Sequence, residues 1–300
     1  MCRAIAKMPN NYAVEGTMAR TVGIGIQDFD KIITSNFFYI DKTSFIKEWW
    51  ESGDSVTLIT RPRRFGKTLN LNMLNYFFSV EHADRGDLFE HLSIWEEEKY
   101  RKLQGTYPVI NLTFADVKSR SFESVKKEIY LLLVNLYEKN RFMLESDLFT
   151  EVEKELYNAV SMDMDEVIAA KAIQRMCDYM YRYYGKKVIV LLDEYDTPMQ
   201  ESYVSGFWEE MVAFIRSMFN STFKTNPYLE CSIMTGITRV SKESIFSDLN
   251  NWKVVTTTSD EYATSFGFTE DEVFRALEEC GYENMRENVK AWYDGFIFGK

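Results

Sequence analysis

Cysteine is scarce in this chain. The four present (Cys2, Cys177, Cys231, Cys280) are scattered among 300 residues and show no metal-ligand spacing. They read as reduced thiols of a cytoplasmic protein rather than as a disulfide framework or a metal centre. Long apolar runs are missing too. None approaches the roughly 18 residues that cross a bilayer, so no membrane association is expected. Residues 1–17 have neither the apolar core of a signal peptide nor any periodic pattern, and are expected to form a disordered tail or an over-extended start. Positive charge is in deficit, with 35 Lys and Arg against 46 Asp and Glu and a net charge of −11. Nucleic-acid binding rests on neutralising phosphates, so this acidic chain is a poor stand-alone binder of DNA or RNA. Internal repeats and low-complexity linkers are absent. Hydrophobic residues make up 46% of the chain, enough for one large domain, or for one with a small appendage.

Glycine is also sparse in the most informative stretch, Arg61-Pro62-Arg63-Arg64-Phe65-Gly66-Lys67-Thr68, which holds only Gly66. Before it, Ser55-Val56-Thr57-Leu58-Ile59-Thr60 reads as a buried strand. After it, Leu71, Leu74, Phe77 and Phe78 recur at helical spacing. A strand, a loop ending in Gly-Lys-Thr and a helix are the context of a phosphate-binding P-loop. A phosphate there meets backbone N–H groups and the positive end of a helix dipole. Lys67 adds a point charge at the β/γ-phosphates, and the Thr68 hydroxyl is placed to ligate Mg²⁺. The pattern is imperfect. Arg61 stands where P-loops carry their first glycine, which supplies positive φ and close backbone approach. Pro62 removes an N–H that could face phosphate. The plainer alternative is an ordinary strand–turn–helix with a basic loop.

A second stretch weighs against that alternative. Val188-Ile189-Val190-Leu191-Leu192-Asp193-Glu194 describes a central strand delivering two carboxylates at its C-terminal tip, the edge where parallel α/β sheets bind ligands. Asp193 is placed to hold Mg²⁺ as a Walker B acid does. Glu194 is placed to orient or deprotonate the water that attacks a γ-phosphate. Two solvated carboxylates at a strand end are the plainer reading of the pair. Asp196 reads as turn chemistry, because Thr197, Pro198 and Gln200 form a helix start with Thr197 as the cap.

The remaining chain supplies the surround. Gly23-Ile24-Gly25-Ile26 is too poor in glycine for a dinucleotide loop and is expected to sit near a nucleotide base, with Phe38 and Tyr39 as core packing. A helix runs through Trp49-Trp50. Tyr107–Phe114 reads as a strand led by a proline. Residues 121–141 and 146–160 read as helices, and a further helix opens at Asp163 with Glu166 in capping-box spacing and stops at Gly185. Trp208 to Phe223 is an aromatic-rich helix. Leu229–Arg239 is a strand with a polar tip, on which Thr235 could sense the γ-phosphate. Arg239 could stabilise its charge as an arginine finger, or form a surface salt bridge. Trp252–Thr258 is a fifth strand, and Thr269 with Glu272 opens a last helical stretch.

Together these stretches resemble the AAA-ATPase-like family of bacterial P-loop proteins. The residues that carry the resemblance are Gly25–Phe29, Tyr39–Thr43, the Arg61–Thr68 loop, Leu192–Asp196, Thr235–Ile237, Phe266–Glu270 and Trp292–Gly295. They span about residues 22–300, and the loop without its first glycine is the family's own form. The resemblance implies an α/β fold: a P-loop NTPase with an AAA-like parallel sheet flanked by helices and a small helical C-terminal lid. It implies a tail over 1–17, an ATPase domain over 18–262, and a lid over 263–300 that starts a truncated C-terminal region. Family members often carry a PD-D/E-x-K-type nuclease-like domain there, which these 300 residues do not contain. The nucleotide contacts expected are Arg63, Arg64, Phe65, Gly66, Lys67, Thr68, Leu69 and Thr235. The metal ligands expected are Thr68 and Asp193, and the catalytic residues Glu194, Lys67 and Arg239.

Two functions follow. One is an Mg²⁺-dependent ATPase, for which a homo-oligomer or a protein partner could supply an arginine. The other is a nucleotide-binding switch with negligible turnover. A small-molecule kinase fits the strand-end Asp-Glu pair less well, and a GTPase lacks an Asn/Thr-Lys-x-Asp base-reading motif.

Overall fold

The computed structural model describes residues 20–238 and 252–293. The expected tail (1–17), Arg239 and residues 294–300 lie outside that range. Among the described residues five strands form one parallel sheet: β1 (Val56–Thr60), β2 (Val109–Thr113), β3 (Val188–Asp193), β4 (Leu229–Gly236) and β5 (Trp252–Val255), in the order β2-β3-β4-β1-β5. Every residue of β1 and β3 is buried, as strands covered on both faces must be.

Alternation along the strands divides two cores. Val188, Val190 and Leu192 join Val56, Leu58, Ile110 and Met234 on one face. There they pack under helices Phe122–Lys139, Glu166–Tyr184 and Trp208–Phe219. Ile189 and Leu191 join Ile59, Ile233 and Val255 on the other, under helices Phe29–Thr34, Ser44–Ser52 and Lys67–Phe78. The period of two sends neighbouring residues to opposite sides, so one apolar run serves both layers.

The strand order places the site. β4 lies between the strand that feeds the loop and the strand that ends in Asp193. Its register sets Thr235 beside Ile59 and Met234 beside Leu192, so the C-terminal ends of all three strands are level. Beyond β5 come helices Glu270–Glu279 and Arg286–Tyr293.

Several element ends differ from expectation. The helix expected to open at Asp163 is capped by Asp165, whose carboxylate accepts the Ile168 N–H. The stretch expected over 146–160 is helical only over Glu151–Asn158, opened by a Thr150–Glu153 capping box. The helix after β3 starts at Thr197 with Asp196, not Thr197, at the cap position. Gly185 ends its helix in the left-handed conformation as expected (φ 68°), and the Thr269–Glu272 capping box forms.

Candidate functional site

The loop between β1 and the helix Lys67–Phe78 turns through two left-handed residues, Arg64 (φ 71°) and Gly66 (φ 78°). A left-handed conformation costs a non-glycine residue about 1–2 kcal/mol, so Arg64 is held there against its own preference. Arg61 explains how the loop manages without its first glycine. Its side chain is fully buried and leaves the loop for the C-terminal ends of β1 and β5. There Nη1 donates to the carbonyls of Thr60 (3.1 Å) and Val255 (3.5 Å), Nη2 to that of Glu261 (3.4 Å), and the guanidinium lies 5.5 Å from the Phe266 ring centre. Burial pushes the Arg61 guanidinium down to about 10, so it stays charged at neutral pH.

Lys67 is buried at the first position of the helix. Its Nζ donates to the carbonyls of Arg61 and Pro62, both at 3.0 Å, and so spans the loop it follows. Burial pushes its ammonium down. Asp193, Glu194 and Asp196 pull it back up, and Arg63 adds a smaller downward push.

The two halves of the site meet at Asp193. The Thr68 hydroxyl donates to Oδ2 at 2.6 Å, and the buried Thr235 hydroxyl donates to Oδ1. The loop, the acid strand and the strand between them are thus joined through one carboxylate. Among the described residues no group of three or more His, Cys, Asp and Glu could hold a metal. Magnesium does not require one: it takes one or two carboxylates and completes its shell with water and substrate phosphate. A single carboxylate beside a threonine hydroxyl is a donor set that suits it. Glu194 follows at φ 52°, a left-handed position for a branched-free but bulky acid, and the Thr197 hydroxyl lies 3.3 Å from its Oε2. Strain of this kind gathers where a side chain must be aimed.

A family profile described as predicted AAA-ATPase matches residues 23–246, which take in the loop, the Asp193-Glu194 tip and β4. The chain belongs to the AAA-ATPase-like family. It is similar to a protein of Azotobacter chroococcum mcd 1 named as an uncharacterized protein in the vnfD 5' region, with 28% identity over 278 residues. That match covers 91% of this chain and 48% of the relative, so the chain spans about half the length of that protein. No solved structure matches this chain at a significant level.

Within this AAA-ATPase-like fold the expected contact residues divide. Thr68, Asp193 and Thr235 meet directly, and Lys67 and Glu194 border them. Arg63 and Arg64 are exposed on the loop, while Phe65 and Leu69 are half-buried. Phe65 faces the segment after β5 rather than standing free: its carbonyl accepts the Gly267 N–H at 3.0 Å. The Gln27-Asp28-Phe29 segment docks on the loop helix, where the Phe29 N–H donates to Asn72 Oδ1 at 2.7 Å. Tyr39 packs edge-on against Phe29, at 5.6 Å between ring centres, as core.

Asp196 has a larger part than a turn residue. It is 1% exposed, and its Oδ2 accepts from the N–H groups of Ile237 (3.0 Å) and Thr238 (2.8 Å), the Thr238 hydroxyl (2.8 Å) and Gln200 Nε2 (2.8 Å). Tyr195 grips the same stretch, its N–H on the Thr235 carbonyl (3.0 Å) and its hydroxyl on that of Thr238 (2.9 Å). Gly236 leaves room for this grip. A Cβ there would lie 2.6 Å from the Tyr195 ring and 2.7 Å from Asp196 Oδ1. The signal available in the sequence was the i, i+4 spacing of Asp196 and Gln200 at a helix start.

Proposed function

We propose that this chain binds ATP with Mg²⁺ at the Arg61–Thr68 loop and hydrolyses it. The observation that carries the reading is the convergence of the Thr68 and Thr235 hydroxyls on the two oxygens of Asp193. A buried carboxylate bridged by two hydroxyls, one from the start of the loop helix and one from β4, is a poor stabilising device, and a suitable ligand set for a hard cation beside a phosphate loop.

Each residue then has a role. The N–H groups around Gly66 and the helix start receive the phosphates. Lys67 exchanges its two loop carbonyls for phosphate oxygens, which restores a full charge interaction to a buried ammonium. Thr68 and Asp193 would hold Mg²⁺, which when bound supplies charge neutralisation at the terminal phosphates. Glu194 turns away from its Thr197 hydroxyl to orient the attacking water and accept its proton. Thr235, bonded to Asp193, reports the presence of the γ-phosphate to β4. Arg63 and Arg64 add positive charge at the mouth. The charge that develops in transfer is met by Arg239, or by an arginine from a partner chain or a second copy. This reading takes 18–262 as the ATPase unit, with a helical lid from 263 onward.

A second reading, a nucleotide-binding switch with negligible turnover, draws on the Thr197–Glu194 contact, which parks the base on the first residue of the helix that follows it. One experiment separates the two. Phosphate release from Mg·ATP is measured for wild type and Glu194→Gln over a range of protein concentrations. Turnover that falls by about 10²-fold or more in the variant, with ATP still bound, supports hydrolysis by Glu194. Tight binding with no release at any concentration supports the switch. Undiminished turnover in the variant removes Glu194 as the base.

A further inference from the structure

Behind the nucleotide loop runs Thr264-Ser265-Phe266-Gly267, and each of its four residues touches the loop or something that holds the loop. The Thr264 carbonyl accepts from Lys42 Nζ at 2.6 Å. The Ser265 carbonyl accepts from Asn70 Nδ2, on the first turn of the loop helix, at 2.8 Å. The Phe266 ring lies beneath the Arg61 guanidinium and packs edge-on against Phe45 at 5.1 Å. The Gly267 N–H donates to the Phe65 carbonyl at 3.0 Å. Gly267 is left-handed (φ 76°), and a Cβ on it would stand 2.8 Å from the Phe65 ring, so the ring sits directly on the glycine.

One ion pair fastens this strap. Lys42 Nζ donates to both carboxylate oxygens of Glu272, at 2.6 and 2.7 Å, and to Thr264, using all three of its N–H groups. The two side chains are only 9% and 13% exposed. Glu272 also accepts the Thr269 N–H at 2.8 Å as the capping-box partner of the helix Glu270–Glu279. On the other side Asp41 and Thr43 hold Lys42 in place, with Asp41 Oδ2 accepting the Ser93 N–H at 2.7 Å and Thr43 Oγ1 accepting the Ile94 N–H at 3.2 Å.

The geometry points to Lys42 and Glu272 as positioning residues for the nucleotide loop, acting through the strap 264–267. A P-loop with its first glycine holds its shape by its own backbone. This loop carries Arg61 there and a strained Arg64, and its shape is set from behind: by Arg61 on the ends of β1 and β5, Phe65 on Gly267 and Asn70 on Ser265. Lys42 and Glu272 touch no substrate. They fix the strap against which the loop is pressed. The inference rests on the loop being the nucleotide site, as proposed above.

The test uses the full chain and Mg·ADP. Titration of wild type by calorimetry tests the nucleotide site by itself. Lys42→Met removes the fastening, and Gly267→Ala pushes Phe65 off its seat. Both are expected to weaken Mg·ADP binding by about tenfold or more while melting cooperatively. Lys42→Arg, which keeps the charge and a fork to Glu272, is expected to return affinity to within about threefold of wild type. Lys126→Met breaks a pairing of another well-covered lysine (14% exposed) with Glu123 and Glu166, remote from the loop, and controls for general destabilisation. It is expected to leave affinity unchanged. Hydrogen exchange on wild type adds a measurement free of any folding defect: saturation with Mg·ADP should slow exchange of the Gly267 amide. Affinity within about twofold of wild type in both loss variants, or equal weakening by the Lys126 control, overturns the positioning role. So does an unchanged Gly267 exchange rate at saturation. Failure of wild type to bind Mg·ADP overturns the nucleotide reading, and this role with it.

Discussion

Asp196→Ala isolates what ties the acid strand to β4. Oδ2 receives four donors, but they do not weigh equally. Thr238 is exposed and Gln200 is half-buried, so both find water when the carboxylate goes. The N–H groups of Ile237 and Thr238 each lose a bond to a charged acceptor worth about 1.5–3 kcal/mol. The gross loss is therefore about 3–6 kcal/mol. Removing the side chain also relieves a cost. Asp196 is 1% exposed, and its Oδ1 makes no hydrogen bond among the described residues, so part of its charge is buried without compensation. With that cost subtracted from the gross loss, the net destabilisation expected is about 2–4 kcal/mol. At about 2–4 °C per kcal/mol for a chain of this size, that is a fall of about 4–16 °C in the thermal midpoint. Asp196→Asn keeps a neutral acceptor for the two amides and is expected to cost less than half as much. Thermal unfolding followed by circular dichroism reads both. A loss below about 1 kcal/mol for Asp196→Ala, or equal losses for the two variants, refutes the assignment of the stabilisation to this one charged acceptor.

Three other outcomes are expected. Lys67→Ala removes the buried ammonium that spans the loop and should abolish nucleotide binding; undiminished affinity in calorimetry would sink the P-loop assignment. Gly236→Ala places a Cβ 2.6 Å from the Tyr195 ring and 2.7 Å from Asp196 Oδ1, which forces a shift costing about 1–3 kcal/mol. Because Thr235 is its neighbour, phosphate release should fall along with the melting temperature. His82 gives a pH dependence. Burial pushes its imidazole below the ordinary 6.5, helped by Lys139 and Arg85 and opposed by Glu81 and Asp84. A depressed folded value favours the neutral ring, so its contribution is full above pH 6.5 and is lost as pH falls through the folded value. The melting temperature of wild type should drop more between about pH 7 and about pH 5 than that of His82→Gln.

Features written in short-range chemistry were legible. The all-buried strands β1 and β3 announced themselves as β-branched and leucine-rich runs, and the Thr269–Glu272 box and the Gly185 stop declared their helix ends. Helix starts were less so where two acids compete. Asp163 and Asp165 have equal capping chemistry, and tertiary packing of the following apolar face selects Asp165. Likewise Thr197 has a good capping side chain, yet its hydroxyl turns to Glu194 while Asp196 takes the cap position.

The sequence by itself determined the loop, its helix and the strand that ends in two carboxylates, because each depends on neighbours within about ten residues. Only the tertiary structure decided that β4 lies between those strands, bringing Thr235 onto Asp193 from 42 residues away. Only it decided that Arg61 replaces a glycine by leaving the loop for the carbonyls of Val255 and Glu261, and that Lys42 meets Glu272 across 230 residues. Strand order and long-range pairing arise from how two apolar faces are covered at once. Local periodicity states which face is apolar, but not which distant segment will cover it.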